Sequence, residues 1–179
     1  MYKLFISLTL IVLIAGCSSV NDDQNNIDIF DGTYDNVVFT KDSFAGLEFK
    51  FIKEYDVSEL PDALEAHYGF FKRREFELRF YPSNELAKAS GVFFADEVTG
   101  KDAIIKKADS SWKEGIKDRM TSGVFGNKGN SPKYMDYVIL GNMIVLCPIE
   151  ISSSEIGAGE PLDNCRLLLS NLPEINQIN

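Results

Sequence analysis

Histidine is almost missing from this chain: His67 is the only one in 179 residues. A Ser-His-acid triad would have to be built on it, yet no Gly-x-Ser-x-Gly turn offers a nucleophile. His67, beside Tyr68 and Gly69 at the end of a short predicted helix, reads as a surface or helix-end residue. Cysteine is scarce too. Cys147, Cys165 and one histidine cannot supply the usual four zinc ligands without carboxylates. The acids Asp22, Asp23, Asp28 and Asp31 are too loosely spaced for a calcium loop. Positive charge is in deficit: 18 Lys and Arg face 27 Asp and Glu, a net of −9. Nucleic-acid binding, which depends on Lys and Arg neutralising phosphates, is therefore not expected, nor is electrostatic docking on anionic lipid. The glycine-rich stretch Gly123 to Gly129 precedes a strand instead of following one, so it is no phosphate cradle. Val98-Thr99-Gly100-Lys101 fails the same test. No cofactor and no metal are expected.

Long apolar runs are confined to the start. Leu4 to Ile14 is interrupted only by Ser7 and Thr9 and follows the cation Lys3. It is short of the roughly 20 apolar residues that a permanent membrane span needs. A charged start, a short apolar middle and a small-residue exit describe a secretory signal peptide. The exit, Leu13-Ile14-Ala15-Gly16-Cys17, resembles the lipobox of bacterial lipoproteins. That resemblance implies cleavage before Cys17, acylation of Cys17, export and a lipid anchor in the envelope. If the cell has two membranes, Ser18 after the cysteine resembles the pattern sent to the outer one, on its periplasmic side. Cleavage removes Lys3 and no acid, so −9 becomes −10.

The division expected is a signal peptide at 1–16, a lipidated Cys17 with a polar tether to residue 36, and one globular domain at 37–179. The tether, rich in Asn and Asp, would reach roughly 25 Å if flexible. Val37 to Phe39 reads as a short strand, and Leu47, Phe49 and Phe51 alternate with charges as a half-buried strand. Ser58 to Ala66 reads as a short helix. Phe76, Leu78 and Phe80 alternate with Glu75, Glu77 and Arg79, which places the charges on the solvent face of a strand ended by Pro82. Ser83 caps a helix that runs to Gly100 despite Gly91. Ser111 and Glu114 fit a capping box for a helix to about Met120. Tyr134 to Leu140 and Met143 to Cys147, joined by Gly141-Asn142, read as a tight hairpin, central in its sheet. A buried tip is unusual for a hairpin. Ser152 to Gly159 is a loop. Leu162, Cys165, Leu169 and Leu172 form the stripe of a last helix ended by Pro173. The order gives an α+β fold, a two-layer sandwich whose antiparallel-rich sheet carries helices mainly on one face. A ferredoxin-like core from Phe76 onward is its specific version.

Cys147 and Cys165 remain an even pair once Cys17 is lipidated. They form either a disulfide, favoured in an oxidising compartment, or two separate buried thiols. Trp112, Arg119, Tyr134 and Tyr137 are the candidate interaction surface, because Trp, Tyr and Arg dominate binding hot spots. The segments RFYPS, WKEGIKDR and PKYMDYVILGNMIVLC, in that order, resemble a family of uncharacterised secreted bacterial lipoproteins. The leading functional expectation is a membrane-anchored, non-enzymatic domain that binds an envelope partner. A small-molecule binding protein with an enclosed cavity between sheet and helices is the alternative. A hydrolase using acids such as Glu75 and Glu77 or Asp96 and Glu97 is a third reading.

Overall fold

The computed structural model describes residues 28–122, 130–149 and 160–177. The signal peptide, Cys17 and the loops at Gly123 to Gly129 and Ser152 to Gly159 lie outside them.

Five strands make the main sheet: β1 (Lys50–Tyr55), β2 (Glu65–Phe71), β3 (Arg74–Phe80), β6 (Tyr134–Leu140) and β7 (Met143–Pro148). Their order is β1-β2-β3-β7-β6, and every neighbouring pair is antiparallel. The short strands β4 (Met120–Ser122) and β5 (Asn130–Pro132) pair separately. The α+β class with an antiparallel-rich sheet is thus the observed one. The hairpin divides, however: β7 is interior and β6 forms an edge. Both faces of β7 are covered, which is why its sequence is a continuous apolar run and not an alternation.

Helices flank the sheet on both faces, where they were expected mainly on one. Phe76, Leu78, Phe80, Met143, Val145 and Cys147 meet α3 (Pro161–Leu169) and residues from Ile29 to Phe49 on the first face. Ile144, Leu146 and Tyr134 meet Ala87, Ala95 and Val98 on the second. That second covering is a continuous helical run of α1 (Asn84–Leu86), a π-turn (Ala87–Gly91) and α2 (Val92–Asp96). Ser83 caps it by accepting from the Leu86 N–H. A Cβ on Gly91 would stand 2.5 Å from Ile144 Cδ1 and 2.6 Å from Tyr81 Oη, so glycine lets the π-turn sit directly on the sheet. The strands β3, β6 and β7 with this helix have split β-α-β connectivity. A ferredoxin-like core would put both its helices on one face and a later strand beside β3; here β2 holds that place.

Three local expectations give way to tertiary contacts. Residues 58–64 form turns instead of a helix, because Leu64 donates to the Phe80 carbonyl at 2.8 Å and the chain enters β2. The helix expected from Ser111 is reduced to a 3-10 turn, Ile116–Arg119. The Glu97 carboxylate takes the Ser111 N–H at 2.9 Å, Trp112 turns inward, and Gly115 sits at φ +70°. Pro173 opens a further short helix, α4 (Pro173–Asn176), instead of only ending α3. Leu172 is buried all the same.

The domain also starts earlier than expected. Ile29 and Tyr34 are buried in the first core, and Asp28 pairs with Arg166 of α3, so residues 28–36 belong to the fold and not to a tether. The hairpin tip is buried against this leading segment. Asn142 receives the Phe39 N–H at 2.6 Å and donates to the carbonyls of Phe39 (3.1 Å) and Tyr81 (2.7 Å). Gly141, at φ +52°, would place a Cβ 2.2 Å from the Val37 carbonyl oxygen. The turn chemistry that forms the hairpin also fastens it to the N-terminal segment.

Candidate functional site

Glu77 and Arg79 point to the second face of β3, and that face is roofed by residues 99–119 instead of water. Glu77, Arg79 and Arg119 are each 0% exposed and Trp112 is 2%. Glu77 sits between two guanidiniums. Arg79 Nε donates to its Oε1 at 2.8 Å; Arg119 donates from Nε to Oε2 (2.7 Å) and from Nη2 to Oε1 (3.1 Å). The Trp112 ring lies 4.3 Å from the Arg119 guanidinium carbon and 5.0 Å from that of Arg79. Its indole N–H donates to the Asp56 carbonyl. Tyr55 packs edge-on against Trp112 and donates a hydrogen bond from its hydroxyl to Asp118 at 2.9 Å.

The proposed surface of Trp112, Arg119, Tyr134 and Tyr137 is therefore not a surface. Trp112, Arg119 and Tyr134 are interior, and half-buried Tyr137 donates its hydroxyl to Asp96 at 2.8 Å. Trp and Arg satisfy each other inside this fold instead of waiting for a partner. The solvent-facing assignment of Glu77 fails for the same reason. Glu75 is half-buried and ion-paired with Lys133. His67 lies in the middle of β2, 1% exposed, its Nε2 2.8 Å from Glu65 and its ring against Phe51 and Phe80. It is a core residue, not a helix-end one.

Burial by itself would raise the Glu77 carboxyl; the charges of Arg119 and Arg79 outweigh it and hold it below the ordinary range. Burial pushes the Tyr134 phenol far up and Tyr81 up as well. The carboxyls of Asp28, Asp31, Asp56 and Glu85 are displaced downward by Arg166, by Thr33, by Ser58, and by a backbone N–H with Ser83 respectively. A general acid of a carboxylate hydrolase needs the opposite displacement.

Cys147 and Cys165 are joined, with their Cα atoms 5.4 Å apart and both side chains fully buried between β7 and α3.

The opposite end of the sheet offers something the sequence reading passed over. Leu47, Phe49 and Phe70 floor an open depression of about 650 Å³, ringed by Lys50, Lys72, Arg73 and Glu48. Three cations against one acid make it a basic patch on an acidic molecule. Lys72 and Arg73 are the two central residues of the β2–β3 turn, at φ +45° and +67°. Such turns favour Asn and Gly; bulky residues there are strained by roughly 1–2 kcal/mol each. The signal available was the run Lys72-Arg73-Arg74, which two strands joined by a two-residue turn explain. A second depression, about 290 Å³, lies over Trp112 between Asp56, Ser58, Glu59, Lys107, Lys113 and Glu114. Both open to solvent, and neither is the enclosed cavity between sheet and helices that a small-molecule carrier would use. Among the described residues no cluster of His, Cys, Asp and Glu could hold a metal ion, and no helix is long and apolar enough to cross a membrane.

A family model described as a family of unknown function matches residues 40–174. The chain belongs to that family, DUF6810. No curated protein and no solved structure matches the chain. The DUF6810 match takes in the charge cluster, the basic depression and both disulfide cysteines. The two sites differ in what they can do. The cluster is enclosed and ties the 99–119 segment to the sheet. The depression is open, apolar at its floor and cationic at its rim, which suits an anionic group carried on an apolar body.

Proposed function

We propose that this DUF6810 chain is an envelope lipoprotein, cleaved before Cys17 and acylated there, whose domain binds a partner protein and performs no chemistry of its own. The observation that carries the binding reading is the depression at the β2–β3 turn. It joins an apolar floor, half-buried Leu47 and Phe70 over buried Phe49, to three exposed cations, Lys50, Lys72 and Arg73, in a chain of net charge −9. Strained non-glycine residues at the tip of that turn are the kind of feature that persists where a side chain has work outside the fold. The complementary surface is an acidic segment carrying an aliphatic or aromatic anchor. A buried disulfide supports export, because such bonds persist in oxidising compartments.

The test is crosslinking in intact envelopes, comparing the native chain with the double variant Lys72→Glu, Arg73→Glu. We expect a discrete crosslinked species in the native chain and its loss in the variant, with both proteins equally abundant. An identical crosslinking pattern in the two, or no discrete species in either, overturns the reading.

A further inference from the structure

The enclosed charge cluster is not balanced. One carboxylate, Glu77, stands between two guanidiniums, leaving one positive charge over in a place where all three groups are 0% exposed. Its hydrogen bonding is unbalanced in the same sense. Arg79 Nη1, Arg79 Nη2, Arg119 Nη1, Tyr81 Oη and Tyr134 Oη are buried and have no partner among the described residues. Every one of these five atoms can donate. Tyr81 lies beside Arg79 without completing a bond of good geometry, so the two do not satisfy each other. Proteins pair buried charges and bond buried donors almost without exception, because each failure leaves a desolvated polar group uncompensated, and a charged one most of all.

We propose that the cluster binds a small monovalent anion at the Nη1–Nη2 edge of Arg79, with the Tyr81 hydroxyl as a further donor. The chemistry selects the class. Nε of Arg79 is committed to Glu77, so the edge left over is the paired-N–H fork that accepts a halide or a planar oxyanion such as nitrate. A single negative charge cancels the surplus; a doubly charged one would reverse it. Water could satisfy the donors but would leave the charge. The Trp112 ring covers both guanidiniums, and residues 99–119 close over the site, so the anion is sealed in when that segment docks. It acts as a structural ion that fastens the segment to the sheet. It is independent of the open depression and of what binds there.

The experiment uses the full chain in detergent at constant ionic strength, exchanging sodium gluconate for sodium bromide and, separately, for sodium nitrate. For the native chain we expect Tm to rise by at least about 3 °C at saturating bromide or nitrate. General salt effects run the other way, since bromide is less excluded from protein surface than a polyol acid. Arg79→Met leaves a neutral Glu77–Arg119 pair, so this variant should fold and show no such rise. Glu77→Gln raises the surplus to two charges and should respond more strongly than the native chain. Crystals grown in bromide should carry an anomalous peak beside Arg79 Nη1 and Nη2. A native Tm indifferent to the anion, an equal response in Arg79→Met, or only water density at those donors overturns the proposal. The crystallographic arm decides even if neither variant folds.

Discussion

Glu77 shows how far one side chain's role depends on what roofs it. Between Arg79 and Arg119 it is the negative centre of a dry cluster. Glu77→Gln should cost about 3–5 kcal/mol at pH 7, the range for breaking a buried pair from one side, read as a lower urea midpoint. Its folded carboxyl is held below the ordinary 4.5. The stabilisation is therefore complete above about pH 4.5 and is lost as pH falls through the lowered folded value. The difference between native and Glu77→Gln midpoints should narrow in acid; a constant difference from pH 7 to pH 3 would show that titration of Glu77 is not involved. Asn142 makes a second test. Asn142→Ala leaves the Phe39 N–H and two carbonyls, those of Phe39 and Tyr81, without their buried partner. Each orphaned group costs on the order of 1–3 kcal/mol, so the variant should lose several degrees of Tm. The sequence showed Gly141-Asn142 as a turn. It could not show that the turn is also a clamp, since the clamped residues, Phe39 and Tyr81, lie 103 and 61 positions earlier.

Strands and helices were readable to the degree that their own residues decide them. The alternation of Phe76, Leu78 and Phe80, the hairpin and the stripe of α3 are local patterns, and all three are present. Where a distant group takes the deciding hydrogen bond, pattern reading fails. Phe80 draws Leu64 into a turn that leads into β2, and Glu97 takes the Ser111 N–H that a helix would have used. The charged side of β3 reads as solvent-facing because alternation reports two faces, not whether both are covered. The helical run over residues 84–96 yields a prediction with a reversed sign. In an exposed helix, Gly→Ala gains about 1 kcal/mol. Gly91→Ala should instead destabilise, because its Cβ would crowd the buried Ile144 and Tyr81. Thermal unfolding of that variant should give a lower Tm; a higher one would mean that the π-turn relaxes to a regular α-helix away from the sheet.

Taken together, the fold brings its covalent and electrostatic fastenings to opposite faces. On one face the disulfide joins α3 to β7; on the other the Glu77 cluster joins residues 99–119 to β3. The first was within reach of the sequence, because two cysteines in a chain expected to be exported have few alternatives. The second was not, because Glu77 and Arg79 on β3 meet Trp112 and Arg119 from a stretch more than thirty residues later, which only the completed fold lays over the sheet. The two fastenings should also fail separately. Cys147 and Cys165 are 18 residues apart, a loop whose closure contributes roughly 3 kcal/mol through the unfolded chain. Reduction should therefore lower the urea midpoint while leaving the near-ultraviolet signal of Trp112, on the opposite face, intact below the transition. A protein made in a reducing compartment should behave like the reduced form, and one recovered from the envelope like the oxidised form. If thiol titration of envelope-derived protein, denatured without reductant, finds both domain cysteines free, the export reading loses its structural support. Cys17→Ala would then be the remaining test of the anchor: partition into the detergent phase should be lost, and retention would mean that acylation at Cys17 does not hold the chain there.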